Sequence, residues 1–228
     1  MKNIVVLTGA GISAESGLKT FRDANGLWEG HDVMEVATPE GFQKNPELVL
    51  EFYNQRRKQL LTAEPNTAHK ALADLEAHYN VHIITQNVDD LHERAGSSKV
   101  LHLHGELLKA RSINSTNKIF DCKKDILLGD TCAKGYQLRP HIVWFGEAVP
   151  LLADAISITE KADYLIIIGT SMQVYPAASL IGFVNNNTPI YFIDPKPAIT
   201  SSQRKNLSVI AENAVNGVPT LVASLIDK

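Results

Sequence analysis

The sequence predicts an α/β protein: a Rossmann-like, doubly wound parallel sheet with a smaller lobe inserted into it. Three observations carry this. Short, continuous apolar runs recur along the chain, each stops at glycine or small polar residues, and helical patterns lie between several of them. Strands buried on both faces read as unbroken Val, Ile and Leu, and their alternation with helices makes the sheet parallel.

Near the N-terminus, Ile4-Val-Val-Leu7 runs into Thr8-Gly9-Ala10-Gly11, the pattern of a buried strand entering a glycine-rich turn. The pattern recurs at 81–84, 100–104, 141–145, 164–168 and 189–193. The residues that follow are Thr85-Gln86-Asn87, Gly105-Glu106, Gly146-Glu147, Gly169-Thr170-Ser171 and Asp194-Pro195. Helical patterns cover 66–78, 89–95, 151–161, 176–186 and 217–226. In such a sheet, ligands gather at the carboxyl ends of the strands. Two stretches break the alternation: 29–62 holds a loop and a long helix without a strand, and 106–140 is polar with weak periodicity. They place a small lobe at about 29–75 and 106–140, and a large lobe at about 1–28, 76–105 and 141–228, of a single domain spanning 1–228.

Length and composition exclude several classes. At roughly 100–200 residues per domain, 228 residues allow one large domain with a satellite. A net charge of -3, from 22 basic and 25 acidic residues, gives no footprint for nucleic acid. Apolar runs fall far short of the about 18 residues a membrane span needs, so no membrane partner is expected. The two cysteines, Cys122 and Cys132, leave a four-cysteine zinc site two ligands short, and with no signal peptide they point to a reducing, cytoplasmic setting.

Gly9-Ala10-Gly11-Ile12-Ser13-Ala14 fits a dinucleotide-binding turn, whose amides and following helix N-terminus receive a pyrophosphate. The acidic residue that dehydrogenases place on the ribose about 20 residues later, after a second strand, is missing, since no strand comes before Val81. Instead the chain continues into Thr20-Phe21-Arg22, an aromatic ring and a phosphate-competent cation, or plain loop packing.

Gln86, Asn87, Asp89 and Asp90 follow a buried strand, where amides can bond ribose hydroxyls or a carboxamide and Asp89 can accept from an amide. One of the two aspartates alternatively caps the helix that follows. His102 and His104 alternate with leucines, so both imidazoles belong on one face of their strand. His104, at the strand end beside Gly105, is the candidate general base, and His102 is read as structural.

Within 46–61, residues 49, 52, 53, 56 and 60 share one helical stripe and read Val, Phe, Tyr, Arg, Leu. Arg56 on this apolar face either snorkels to water or forms, with Tyr53, a carboxylate-recognition pair.

Taken together, these motifs resemble the sirtuins, NAD-dependent protein deacylases, over nearly the whole chain. The resemblance rests on Gly9-Ala-Gly-Ile-Ser-Ala-Glu-Ser-Gly17 with Thr20-Phe-Arg22, Thr85-Gln-Asn-Val-Asp89, His104-Gly105, Val143-Trp-Phe-Gly-Glu147 and Gly169-Thr-Ser171. Trp28, residues 37–42 and Tyr53-x-x-Arg56 resemble the subgroup, common in bacteria, that removes succinyl and malonyl as well as acetyl groups from lysine.

The resemblance implies NAD as co-substrate. Its phosphates would meet Gly9, Ala10, Gly11, Ile12, Ser13 and Arg22, and its nicotinamide Asn87 and Asp89, with Trp28, Gln86 and Val88 also lining the site and Phe21 shielding the reacting ribose. Gly169, Thr170, Ser171, Asp194 and the backbone at Ala214 would face the adenosine half. Acylated lysines of proteins would enter beside Val143, Trp144 and Phe145 and be read by Tyr53 and Arg56. His104 would take a ribose hydroxyl proton, and the products would be lysine, nicotinamide and O-acyl-ADP-ribose.

The chain departs from the family's four zinc cysteines, so no zinc is expected, and it has Asp194 where asparagine is commoner. Two other readings use the same residues: protein ADP-ribosyl transfer, and a non-catalytic NAD-binding regulator.

Overall fold

The computed structural model describes residues 1–19, 27–28 and 30–227. Ile4, Val5, Val6 and Leu7 are each at most 1 % exposed, which explains why the run lacks polar alternation: both faces of its strand are covered. Ile4 and Val6 face one apolar cluster, Val5 and Leu7 another.

In chain order, β1 (Asn3–Thr8) precedes a short antiparallel pair, β2 (Leu27–Trp28) and β3 (His31–Asp32). Three helices follow: α1 (Val33–Val36), α2 (Pro39–Lys44) and α3 (Pro46–Thr62). Next come α4 (Thr67–Asp74), β4 (Asn80–Thr85), α5 (Leu91–Ala95) and β5 (Val100–His102). The strands β6 (Gly105–Ser112), β7 (Ser115–Asp121) and β8 (Leu138–Ile142) form a separate antiparallel sheet. The chain closes with α6 (Leu152–Thr159), β9 (Tyr164–Ile168), β10 (Ile190–Ile193), β11 (Leu207–Ile210) and α7 (Ala214–Ile226).

The main sheet is wholly parallel, in the order β11-β10-β9-β1-β4-β5. From β1 the chain steps outward to β4 and β5, then returns to β9 on β1's other side, so the winding reverses between β1 and β9. α4 and α7 cover one face, with Leu72, Val218 and Leu225 against Ile4, Val6 and Ile166. α6 and the segment after β9 cover the other. Among the described residues no helix is long and apolar enough to cross a membrane.

Five expectations are corrected. The stretch 29–62, expected to hold no strand, contains β3 (His31–Asp32), which pairs antiparallel with β2, so two short strands precede Val81. The apolar run 141–145 is not a strand of the parallel sheet: its start belongs to β8, paired antiparallel with β6, and Ile142 and Trp144 pack on α3. An apolar run reports burial and does not say which sheet it joins. Residues 176–186 form a six-residue 3-10 helix, Ala177–Gly182, between Pro176 and Phe183, in which Ala177 and Leu180 stack at the i,i+3 spacing of that helix. The strand expected over 100–104 ends at His102, which leaves His104 in the turn to β6. Finally α4, assigned to the small lobe by its position in the chain, packs on α7 and the parallel sheet.

Candidate active site

The register sets Thr8 beside both Thr85 and Ile168, and Ile168 beside Ile193. The carboxyl ends of β1, β4, β9 and β10 therefore lie along one edge, which brings the turns at Gly9, Gln86, Gly169 and Asp194 together where the winding reverses. A Cβ on Gly11 would lie 2.6 Å from Gly169 Cα, and one on Gly169, whose φ is +60, would lie 2.5 Å from Ile12 N. These glycines let two strand-end loops cross almost in contact.

The turn differs from the expected phosphate cradle. Gly9 N donates to Ile168 O at 3.0 Å, Gly11 N to Gly169 O at 2.8 Å, Ile12 N to Gly9 O and Ser13 N to Ala10 O. The segment continues as two single 3-10 turns, Ala10–Ile12 and Ala14–Ser16, not as an α-helix with an open N-terminus. What it offers a ligand is a close-fitting backbone surface more than a row of free amides.

A buried polar cluster lies behind it. Asp89 accepts from Ser13 Oγ at 3.0 Å and from Leu91 N at 3.2 Å, so it ties the glycine turn to the first residue of α5, whose N-cap position is held by Asp90 without a side-chain bond. Burial pushes its carboxyl up to about 6, against the lowering effect of those two bonds. Asn87 Nδ2 donates to Ser13 Oγ at 3.2 Å, and Gln86 Nε2 to Thr170 Oγ1 at 3.1 Å. Deeper in, Thr8 Oγ1 meets Thr85 Oγ1 at 2.8 Å and His92 Nε2 at 3.1 Å. Asp194 is buried at the end of β10 and accepts from Lys196 N, Ser171 Oγ accepts from Gln173 N, and Ala214 opens α7. Phe21 and Arg22 lie outside the described residues.

His104 Nδ1 is 3.1 Å from Gln86 O. A carbonyl only accepts, so Nδ1 carries the proton and the Nε2 lone pair is left for a substrate proton. Burial lowers the imidazole's pKa and keeps it neutral, the form a base requires. His102 is held at both nitrogens, by Asn87 O at 3.1 Å and Glu93 at 2.7 Å. Gly105 serves a backbone crossing: its φ is +82, and a Cβ there would lie 2.1 Å from His141 O.

The second side of the site is built on α3. Tyr53 is fully buried, its hydroxyl accepts from Trp144 Nε1 at 3.0 Å, and its ring lies 6.1 Å from that of Trp28, centroid to centroid. The hydroxyl keeps its own proton to donate, and burial raises its pKa. Arg56 lies over the Phe52 ring at 4.9 Å, and its Nε is buried with no hydrogen-bond partner. Val143 N donates to His104 O and Phe145 N to Ala37 O, both at 2.9 Å, which ties this segment to the turn that carries His104 and to the residue after α1. Val88 packs on the same apolar cluster as Tyr53 and Trp144.

Sequence reasoning missed a set of buried charges. Arg57, next to the arginine it singled out, is 1 % exposed and donates to Leu107 O and to Asn54 Oδ1. A second stripe of α3, Leu50–Asn54–Arg57, offset from the first, carried that signal. Arg111, Arg139 and Glu147 form an ion cluster beside Trp144. Among the described residues no group of three or more His, Cys, Asp or Glu is placed to hold a metal ion. Cys122 Sγ donates to Lys124 O, and Cys132 Sγ to Ser112 Oγ.

Fold and strand-end turns together define an α/β protein of the dinucleotide-binding class, with Asn87, Asp89 and His104 gathered where the winding reverses. The profile of the Sir2 family matches residues 9–176, and the chain belongs to that family. It is 62 % identical over 227 residues to a Helicobacter pylori protein named NAD-dependent protein deacylase, covering 100 % of this chain and 99 % of that one. It is 53 % identical over 232 residues to a protein of the same name from Bacteroides thetaiotaomicron, covering 99 % of each. Among solved structures, a Sir2 homolog–NAD complex superposes with a TM-score of 0.89 at 41 % identity, covering 99 % of this chain and 90 % of that one. A Sir2 mutant with a peptide and NAD gives 0.81 at 30 %, covering 99 % and 94 %.

Proposed function

We propose that this chain is an NAD-dependent protein-lysine deacylase that acts on succinyl-, malonyl- and acetyl-lysine. The observation that carries the reading is His104, neutral, with Nδ1 tied to Gln86 O and Nε2 left for a proton, beside the Asn87–Ser13–Asp89 cluster. The donor set at the strand ends suits a dinucleotide: amides at Gln86 and Asn87 and carboxylates at Asp89 and Asp194 match ribose hydroxyls and a carboxamide. When bound, NAD would supply an electrophilic ribose carbon, to which the acyl-amide oxygen of the substrate bonds as nicotinamide leaves, and the lysine amine would leave once the acyl carbon has passed to the ribose.

This chain's residues then have distinct tasks. Asn87 and Asp89 hold the carboxamide, Asp89 as a buried acceptor already aimed by Ser13. His104 Nε2 takes the ribose hydroxyl proton, so that this oxygen captures the acyl carbon. The close-fitting backbone of Gly9 to Ser13 packs against the dinucleotide and Arg22 takes its phosphates; Gly169, Thr170, Ser171, Asp194 and the backbone at Ala214 take the adenosine half; and Phe21 keeps water from the reacting ribose, with Trp28 and Val88 lining the site. A peptide strand lies beside Val143, Trp144 and Phe145, and its acyl-lysine reaches Tyr53 and Arg56. The buried, unpartnered Arg56 Nε supports preference for an acyl chain ending in a carboxylate.

The test is mass spectrometry of a succinyl-lysine peptide with and without NAD. Loss of the acyl mass only with NAD, matched by equal nicotinamide release, is expected. Persistence of the acyl mass at high enzyme concentration contradicts the proposal. Labelling of an acceptor protein by NAD, without acyl loss, would instead favour ADP-ribosyl transfer.

A further inference from the structure

We propose that Glu147 is a positioning residue for the acyl-lysine site: through Arg139, Arg111 and the Trp144 amide it fixes the segment 143–147 against His104 and Tyr53. The inference rests on the deacylase reading above.

Each link is a contact. The Glu147 carboxylate accepts from Arg139 at 2.7 and 3.1 Å, from Arg111 at 3.3 Å and from the Trp144 backbone N at 2.8 Å. Both arginines also donate to Ile142 O, at 2.9 and 3.3 Å, the last residue of β8 before this segment. The Arg139 guanidinium lies over the Trp144 ring, with Cζ 3.2 Å from the centroid. That ring donates Nε1–H to Tyr53 OH at 3.0 Å. At the segment's start, Val143 N donates to His104 O. One carboxylate thus links the turn that carries the base to the tyrosine that faces the acyl chain.

Stability alone does not account for such a cluster. Arg111 and Arg139 are buried and share one half-buried carboxylate, an arrangement that well-packed apolar residues often replace without loss of stability. What an arginine fork supplies and apolar packing does not is direction: planar, bidentate geometry that sets ring and backbone in one orientation. Burial raises the Glu147 carboxyl, but Arg139, the Trp144 amide and Arg111 outweigh it and hold the group below its ordinary range, so it stays charged at neutral pH.

Glu147→Gln tests this, with the succinyl-lysine peptide titrated at saturating NAD and NAD titrated at saturating peptide. The expected result is a tenfold or greater rise in peptide KM with NAD KM within twofold of wild type, and partial rescue by Glu147→Asp. A change in neither constant, or an equal change in both, overturns the inference. ADP-ribose binding by calorimetry checks that the variant is folded. If it is not, Arg111→Met, which keeps the Arg139 pair, should raise peptide KM about threefold and leave NAD KM alone, and the same two contrary outcomes apply. A wild-type protein that removes no acyl group defeats the functional reading, whereas an active wild type indistinguishable from Glu147→Gln defeats only this inference.

Discussion

The parallel sheet and the β6–β7–β8 lobe are held together by different physics. Behind the sheet, Ile4, Val6, Ile83, Ile166 and their partners on α4 and α7 form one large apolar cluster, and Val5, Leu7 and Phe192 anchor a second. Between the small sheet and α3, one apolar cluster sets Val49, Phe52 and Tyr53 against Leu107 and Ile142, but toward 122–138 it gives way to a small one with Leu50, Ala110 and Ile126 buried. There the contacts are polar and directional: Asn54 takes Ile126 N at 2.9 Å and gives to Ile126 O at 3.0 Å, while Arg57 reaches Leu107 O. Where apolar burial suffices, strand-end polar groups are left to bind and react. Where it is scarce, and only two cysteines are at hand, polar side chains hold the backbone.

This contrast can be broken at several points. Ile166→Ala, in the middle of the sheet, should cost about 2–5 kcal/mol and lower the whole denaturation transition, as seen by calorimetry. A loss confined to one region would contradict a single cooperative sheet. On the α3 side, Arg56→Met should weaken desuccinylation by about 1.5–3 kcal/mol, tenfold or more in kcat/KM, and spare deacetylation. Equal losses on matched peptides would make Arg56 a packing residue.

Asn54→Ala strands buried groups at Ile126 and Arg57, at about 1–3 kcal/mol. Hydrogen exchange should quicken over 122–138 and not in β1, and equal quickening in both would erase the distinction between the lobes.

The smallest expected effect is on acid stability. His69 is buried, with its pKa lowered to about 4 by desolvation. Its folded pKa is below the unfolded value of about 6.5, so the unfolded chain binds more protons between the two. The contribution is present above about 6.5 and is lost as pH falls toward 4. Asp89, raised to about 6, has the opposite sign and gains stability as it protonates. His69→Gln should therefore flatten the acid limb of the stability curve between pH 6.5 and 4 by about one proton's slope, measured by urea unfolding; an unchanged slope would contradict a neutral, buried His69.

Much of this was legible in the sequence, unevenly by region. Five of the six parallel strands announce themselves as apolar runs ending in Gly, Asn or Asp, because burial on both faces leaves no room for polar residues. The sixth, β11, is only Leu207–Ile210 with an exposed Ser208, too short and too mixed to stand out. Glu106, Lys109 and Arg111 disguised β6, since its charges find partners in the fold instead of marking solvent. Asn87, Asp89 and His104 could be picked out because their residue types are unusual at a strand end. Glu147 lay inside a quoted motif, yet its bonds to Arg111 and Arg139 depend on an antiparallel pairing that the 106–140 stretch did not reveal. Of the free amides expected in the glycine turn, Gly11 N is lost to a crossing with Gly169, 158 residues away, which local pattern does not encode, while Ile12 N and Ser13 N close local 3-10 turns.

The proposed function turns on proton removal by His104 at the strand ends. Its most direct measurement is the turnover of a succinyl-lysine peptide by His104→Ala, with ADP-ribose affinity determined on the same sample. The account predicts a fall of about 10²–10⁴-fold in kcat with ADP-ribose affinity unchanged. Turnover equal to wild type would contradict it.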